Sequence, residues 1–137
     1  MRLPHEVFVF VRRGDEYLIL HRSEKQGGYW HCVAGALEVG ETYSEAAARE
    51  LLEETGLVAA PRDLGRPYDY DIEGWEAHYE PGAERIHVEC FVAEAPPGWE
   101  PELDWEHDAY RWCGPDEAAA LFYWPEPREA LQELVAR

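Results

Sequence analysis

The stretch from Gly35 to Leu57, G-A-L-E-V-G-E-T-Y-S-E-A-A-A-R-E-L-L-E-E-T-G-L, decides how the rest of the chain is read. Thr42 is a good N-cap and Glu45 follows three residues later, the pattern of a capping box. The spacing predicts a helix from about Tyr43 to Thr55, closed by Gly56 in the left-handed conformation. Ala47, Ala48, Leu51 and Leu52 supply its expected apolar face. Within it Glu50, Glu53 and Glu54 stand at i, i+3 and i+4, so they share a face. Carboxylates at that spacing repel one another and weaken an isolated helix. A hard divalent cation, which prefers oxygen ligands, is the simplest group to offset the repulsion. The plain alternative is an acidic, solvated helix face.

Outward from this helix the pattern turns to strands. Glu6 to Arg12, E-V-F-V-F-V-R, is a β-rich run, turned at Gly14-Asp15 into a return strand at Tyr17 to Leu20. Ser23 to Gly28 is a polar loop, and Tyr29 to Val33 a short strand leading into the Gly35–Glu41 loop. Past the helix, Leu57 to Ala60 is expected as a short strand ended by Pro61, and Leu64 to Ile72 as another. Glu73 to Ala83 is a loop that turns at Pro81-Gly82. Arg85 to Ala93 alternates well and is expected in the core. Leu103 to Asp108 is an acidic loop, and Ala109 to Trp112 a final strand. Helices are expected from Gly114-Pro115-Asp116 to about Phe122 and from Pro127 to about Val135. Strands with segregated helices predict an α+β sandwich, one domain across residues 1–137.

Charge narrows the partners. The 137 residues carry a formal net charge of −17, which argues against nucleic acid and anionic membranes as partners. Lys25 is the only lysine, so the remaining cations are arginines, the better planar donors for phosphate. Cys32, Cys90 and Cys113 are widely spaced with no Cys-x-x-Cys, which fits reduced thiols in a cytoplasmic protein rather than disulfides or a zinc site. No apolar run approaches a membrane span, and the N-terminus lacks a signal-peptide pattern.

The Gly35–Leu57 stretch resembles the Nudix box at every specified position: Gly35, Glu41, Arg49-Glu50-Leu51, Glu53-Glu54 and Gly56-Leu57. The resemblance implies a Nudix fold, an α/β/α sandwich around a central mixed β-sheet. It implies a Mg²⁺-dependent hydrolase, with Mn²⁺ as a substitute, that cleaves a phosphoanhydride in a nucleoside or pterin triphosphate by water attack at phosphorus. Such bonds are inert because their negative oxygens repel a nucleophile, and rigidly held carboxylates with a metal overcome that. By the resemblance Glu50, Glu53 and Glu54 bind metal or steer the water, joined by the Gly35 carbonyl. Glu50 and Glu54 are the foremost ligands, and Glu53 a ligand through water or a base. A pair between Glu41 and Arg49 would tie the loop to the helix. Arg49, one residue before Glu50, is expected to point off the metal face.

Tyr29 to Glu38, His78 to Gly82 and Trp105 to Trp112 are similar to one subgroup of the family, which acts on pterin triphosphates. That similarity implies a further metal ligand or general base at Glu106, with Glu102, Asp104 and Asp108 as alternatives. It places Arg2 and Arg22 near the substrate, and puts Ala34 where the subgroup has threonine. Tyr79, Trp30 and Trp75 are candidates to stack on a base or to pack. His31 and His87 read as strand residues, and Cys32 has no partner base by spacing. Members of the family are often dimers, which makes a homodimer a further expectation. Other readings are a hydrolase of ADP-ribose or dinucleoside polyphosphates, an isoprenoid isomerase and a non-catalytic nucleotide-binding domain. The isomerase disagrees with a hydrolase-type box, and the binding-only domain with a box that has lost no acid.

Overall fold

A computed structural model describes residues 1–137. Its strands are β1 (His5–Arg13), β2 (Glu16–Arg22), β3 (Trp30–His31), β4 (Val33–Ala36), β5 (Arg62–Asp63), β6 (Tyr68–Asp71), β7 (Arg85–Glu94) and β8 (His107–Cys113). Its helices are α1 (Tyr43–Thr55), α2 (Pro115–Leu121) and α3 (Pro125–Ala136). All strands join one sheet. β7 runs parallel to β1, from His5↔His87 to Arg12↔Glu94, and every other pairing between these strands is antiparallel, so the sheet is mixed.

Alternation along β1 sets the layers, because successive side chains leave opposite faces of a strand. Val7, Val9 and Val11, with Leu20 and Phe91, pack against Ala46, Ala47 and Leu51 of α1. Phe8 and Phe10, with Ile19, Cys90 and Val92, pack against Ala118 and Ala119 of α2 and Leu131 and Leu134 of α3. The result is an α/β/α sandwich, the arrangement implied by the resemblance of the Gly35–Leu57 stretch.

β1 has two neighbours along one edge. β4 pairs with its first half, Glu6↔Ala36 to Val9↔Val33, and β2 with its last residues, Arg12↔Tyr17 and Arg13↔Glu16. The expected single strand at Tyr29–Val33 is therefore split. β3 pairs with β2, and β4 with β1.

Helix α1 matches its predicted bounds. Thr42 Oγ1 accepts from Glu45 N at 3.1 Å, Glu45 Oε1 accepts from Thr42 N at 2.9 Å, and Gly56 sits at φ +80°. Its buried face differs from expectation. Ala46 is fully buried while Leu52 is 50% exposed, and the inward stripe continues through Glu50, Leu51 and Glu54. Two small alanines let the helix lie close to the sheet, and the acids inherit the buried side further along.

Four other readings are corrected. Leu57 to Ala60 forms no strand: Leu57 plugs the core under α1, Val58 is exposed, and pairing begins only at Arg62. The run Leu64 to Ile72 shrinks to β6, because Asp63 Oδ1 accepts from Gly65 N at 2.7 Å and Gly65, at φ +66°, turns the chain. β8 starts at His107, which shortens the acidic loop, and α3 starts at Pro125 rather than Pro127. No helix is long and apolar enough to cross a membrane.

Candidate active site

The three acids of α1 do not form one ridge. Glu50 and Glu54 are 8% and 2% exposed, whereas 54% of the Glu53 side chain is open to solvent. Positions 50 and 54 continue the buried stripe, and position 53 lies past its edge. Glu50 has room to turn inward because Gly35 lacks a side chain. A Cβ there would lie under 3.0 Å from Oε1, Cδ and Oε2 of Glu50. The box glycine thus answers a close approach rather than a turn.

Arg49 lies against these acids rather than pointing away from them, which corrects the expectation from sequence. Its Nε and Nη2 donate to the two oxygens of Glu41, at 2.7 and 2.9 Å. Nη1 donates to Glu50 at 2.8 Å and to Glu53 at 3.3 Å, and Nη2 to the Ala36 carbonyl at 3.0 Å. One guanidinium therefore ties the loop, β4 and the helix together and screens the repulsion within the helix. The hydrogen bond from Arg49 holds the Glu41 carboxyl below the usual range.

Burial, then the neighbouring Glu50 carboxyl, pushes Glu54 well above the usual range. Glu54 Oε1 has no hydrogen-bond partner. It faces Nε2 of His107 at 3.6 Å, which is also unpartnered, while Nδ1 of His107 meets Asp104 Oδ1 at 2.7 Å. His107 and Asp104 thus wall in Glu54 from β8 and its preceding loop. The sequence reading did not single out His107, and the histidine three residues after Asp104 was the available signal.

Glu106 arrives from the same segment. Its carbonyl accepts from Ser23 N at 2.9 Å, which anchors the loop beside the end of β2. Burial, then Asp104, raises its carboxyl. Burial and then Glu50 likewise raise Glu53. Arg22 stands 3.9 Å from Glu106 and is braced by Gln26 through Nε to the carbonyl at 3.0 Å and Nη2 to Oε1 at 3.1 Å. The remaining alternatives lie elsewhere. Asp108 pairs with His21 at 2.6 Å, and Glu102 donates its backbone N–H to Thr55 O at 2.8 Å behind the helix.

Glu50, Arg49, Arg22 and Glu106 border a cavity of about 560 Å³, within the range of small-molecule sites, while Glu54 lies behind Glu50 and outside the cavity lining. Its floor is the sheet face opposite α1, where Glu6 and Phe8 stand directly across from Ala36 and Ala34. Gly35, Glu50, Arg49 and Glu38 form one border. Arg22, Tyr29, His31, Glu106 and Trp124 form one flank, and Arg2, Glu6, Tyr70 and Tyr79 the other. Of the substrate-side residues named from sequence, Arg22 and Ala34 line the part near the acids. Arg2 and Tyr79 line the other flank, where both donate to Glu6, at 2.9 and 2.8 Å. Trp75 lines the cavity, whereas Trp30 packs against the core and His31 proves to be a lining residue.

Hard carboxylate oxygens, one of them buried without a partner, are a donor set that fits a divalent cation. Glu50, Glu54 and the Gly35 carbonyl can supply the nearest oxygens, with Glu53 and Glu106 beside them. No three acidic, histidine or cysteine groups converge as a ready cage. Arg49 holds oxygens of both Glu50 and Glu53, and repulsion separates the others.

Comparison with known proteins adds to this geometry. The sequence model of the NUDIX domain matches residues 2–134. A Myxococcus xanthus protein named octanoyltransferase is 35% identical over 133 residues, which is 96% of this chain and 35% of that protein. The chain thus spans about a third of its length. An Escherichia coli (strain K12) protein named dihydroneopterin triphosphate diphosphatase is 31% identical over 135 residues, 94% of this chain and 89% of that one. The solved structure of the E. coli dihydroneopterin triphosphate pyrophosphohydrolase matches with a TM-score of 0.85 at 28% identity, covering 98% of this chain and 97% of that one.

Proposed function

The chain belongs to the NUDIX domain family, and on that premise we propose that it hydrolyses a phosphoanhydride bond in a nucleoside or pterin triphosphate, with Mg²⁺ as cofactor and Mn²⁺ as a substitute. The observation that carries the reading is the Glu54 carboxyl. It is 2% exposed, sits beside Glu50 in the buried stripe of α1, and has one oxygen without a partner. A buried acid in that condition costs stability unless a ligand uses it.

Glu50, Glu54 and the Gly35 carbonyl hold the cation in this reading. When bound, a divalent cation screens the anhydride oxygens and lowers the pKa of a coordinated water. Arg22, braced by Gln26 beside Glu106, donates to a phosphate oxygen. Glu106 and Glu53 are the two groups suited to take the proton of the attacking water. Partial desolvation and a neighbouring acid, Glu50 beside Glu53 and Asp104 beside Glu106, raise both carboxyls, which is the direction a base near neutral pH needs. Arg49 keeps Glu50 in place through Glu41 and Ala36.

The test is product release from a panel of nucleoside and pterin triphosphates, with and without Mg²⁺, in wild type and Glu54→Gln. The expected loss in the variant is at least about 10³-fold in kcat. Unchanged turnover in Glu54→Gln would reject the assigned site. Tight binding without turnover in wild type would favour a binding domain instead. Comparing pH–rate profiles of Glu53→Gln and Glu106→Gln identifies the base.

A further inference from the structure

Two polar groups in the cavity take no part in the hydrolysis proposed above. Glu6, 6% exposed, accepts from Tyr70 OH at Oε1 (2.8 Å), and from Tyr79 OH (2.8 Å) and Arg2 Nη2 (2.9 Å) at Oε2. A carboxylate offers about four acceptor positions, so one stays open, on Oε1. The His31 side chain, on a residue 7% exposed, makes no hydrogen bond within the protein, and its Nδ1 is buried without a partner. Burial, reinforced by the neighbouring Arg22 guanidinium, lowers its pKa to about 3. The ring is therefore neutral, with one donor and one acceptor nitrogen.

The two groups stand on opposite flanks of the same floor. Phe8 lies between them: it follows Glu6 by two residues and so shares its face, and its ring meets His31 edge-on at 5.3 Å. Ala34, opposite Phe8 on β4, adds little bulk above the floor. A flat ring lying over Phe8 and Ala34 has an acceptor at one end and a neutral imidazole at the other. Arg22 and Glu50 line the same cavity.

Resting on the hydrolase reading, we propose that Glu6 and His31 select the substrate by its heterocycle, and that the class selected is the amino-oxo pyrimidine unit shared by guanine and pterin. The exocyclic amine donates to the open position on Glu6. The oxo group, across the ring, accepts from the donor nitrogen of His31. Hypoxanthine lacks the amine, 2-aminopurine lacks the oxo group, and adenine has no oxo group to offer His31. A site built to hydrogen-bond a substrate group discriminates strongly against analogues without it, because its own polar atoms are left unpaired.

The experiment measures kcat/KM with Mg²⁺ for dGTP, dITP, the 2-aminopurine deoxynucleoside triphosphate, dATP and dihydroneopterin triphosphate. Wild type is expected to favour dGTP over dITP, and dGTP over the 2-aminopurine analogue, by at least about 10-fold each. Whichever of dGTP and dihydroneopterin triphosphate is faster identifies the source of the ring. Glu6→Leu is expected to collapse the first ratio and His31→Phe the second, with thermal melting as a check that both variants fold. The wild-type ratios need no variant and stand if Glu6→Leu fails to fold. Equal rates for dGTP and dITP in wild type overturn the proposal, as does an unchanged ratio in a folded Glu6→Leu. Failure of the hydrolase reading looks different, since no member of the panel would then be cleaved. In that case equilibrium binding of non-hydrolysable dGTP and dITP analogues still reads the preference.

Discussion

Replacing Gly35 by alanine should separate activity from stability. The added methyl meets the Glu50 carboxyl, which has to retreat by about 1 Å to restore ordinary contact at 3.4 Å. Backbone strain plays no part, because Gly35 does not have a positive φ. Glu50 borders the cavity, so the displaced carboxyl has open space to enter. The fold then loses little more than the 2.8 Å hydrogen bond from Arg49. That is about 1 kcal/mol, or roughly 3–5 °C in Tm for a chain of this size. Chemistry suffers more. A 1 Å misplacement of a positioned group costs on the order of 10²-fold, about 2.7 kcal/mol of barrier. The assay is pyrophosphate release under saturating Mg²⁺ beside a thermal melt of the same sample. A Gly35→Ala protein within about 3-fold of wild-type kcat would refute the role proposed for Glu50. A drop of more than about 10 °C in Tm would show that the glycine serves the fold instead.

Arg49→Lys should lose about 10²-fold in kcat despite keeping the charge, because a lysine cannot bridge both oxygens of Glu41 while reaching Glu50 and Ala36; wild-type kinetics would contradict the tie described here. Thr42→Ala should cost about 1 kcal/mol, seen as a fall of roughly 3–5 °C in Tm, and leave kcat/KM within about 2-fold. His87 offers a pH test away from the site. Burial pulls its pKa down, but hydrogen bonds to Asp69 at 3.0 Å and Glu89 at 2.5 Å outweigh that and raise it overall. A raised folded-state value means that the stabilisation is complete below the unfolded value of about 6.5 and is lost as pH rises through the folded one. The Tm gap between wild type and His87→Gln should be wider at pH 6 than at pH 9, and an equal gap at both would contradict the pairing.

Local signals in the chain were enough for α1, its capping box and its Gly56 terminator, and for the alternation that gives β1 and β7 two different faces. They depend on neighbouring residues, so a single sequence displays them. Where pairing depends on distant partners, propensity misled: Leu57 to Ala60 looks like a strand but meets no sheet edge, and Leu57 is spent on the core instead. The candidate site divides along the same line. Spacing brings Glu50, Glu53 and Glu54 to one side of a helix, but only the docking of α1 onto the sheet turns Glu50 and Glu54 inward and leaves Glu53 in solvent. Likewise the order Arg49-Glu50 does not show that the guanidinium curls back over the acids, because its partners Glu41 and Ala36 belong to the loop and strand before the helix. Glu6 gains its meaning from tyrosines 64 and 73 residues away, and His107 from a glutamate on α1. Chain order determined which chemical groups the protein owns and where its helix lies. The packing of strands far apart in sequence decided which groups face one another, because burial and direction are set by the whole sheet rather than by any one stretch of it.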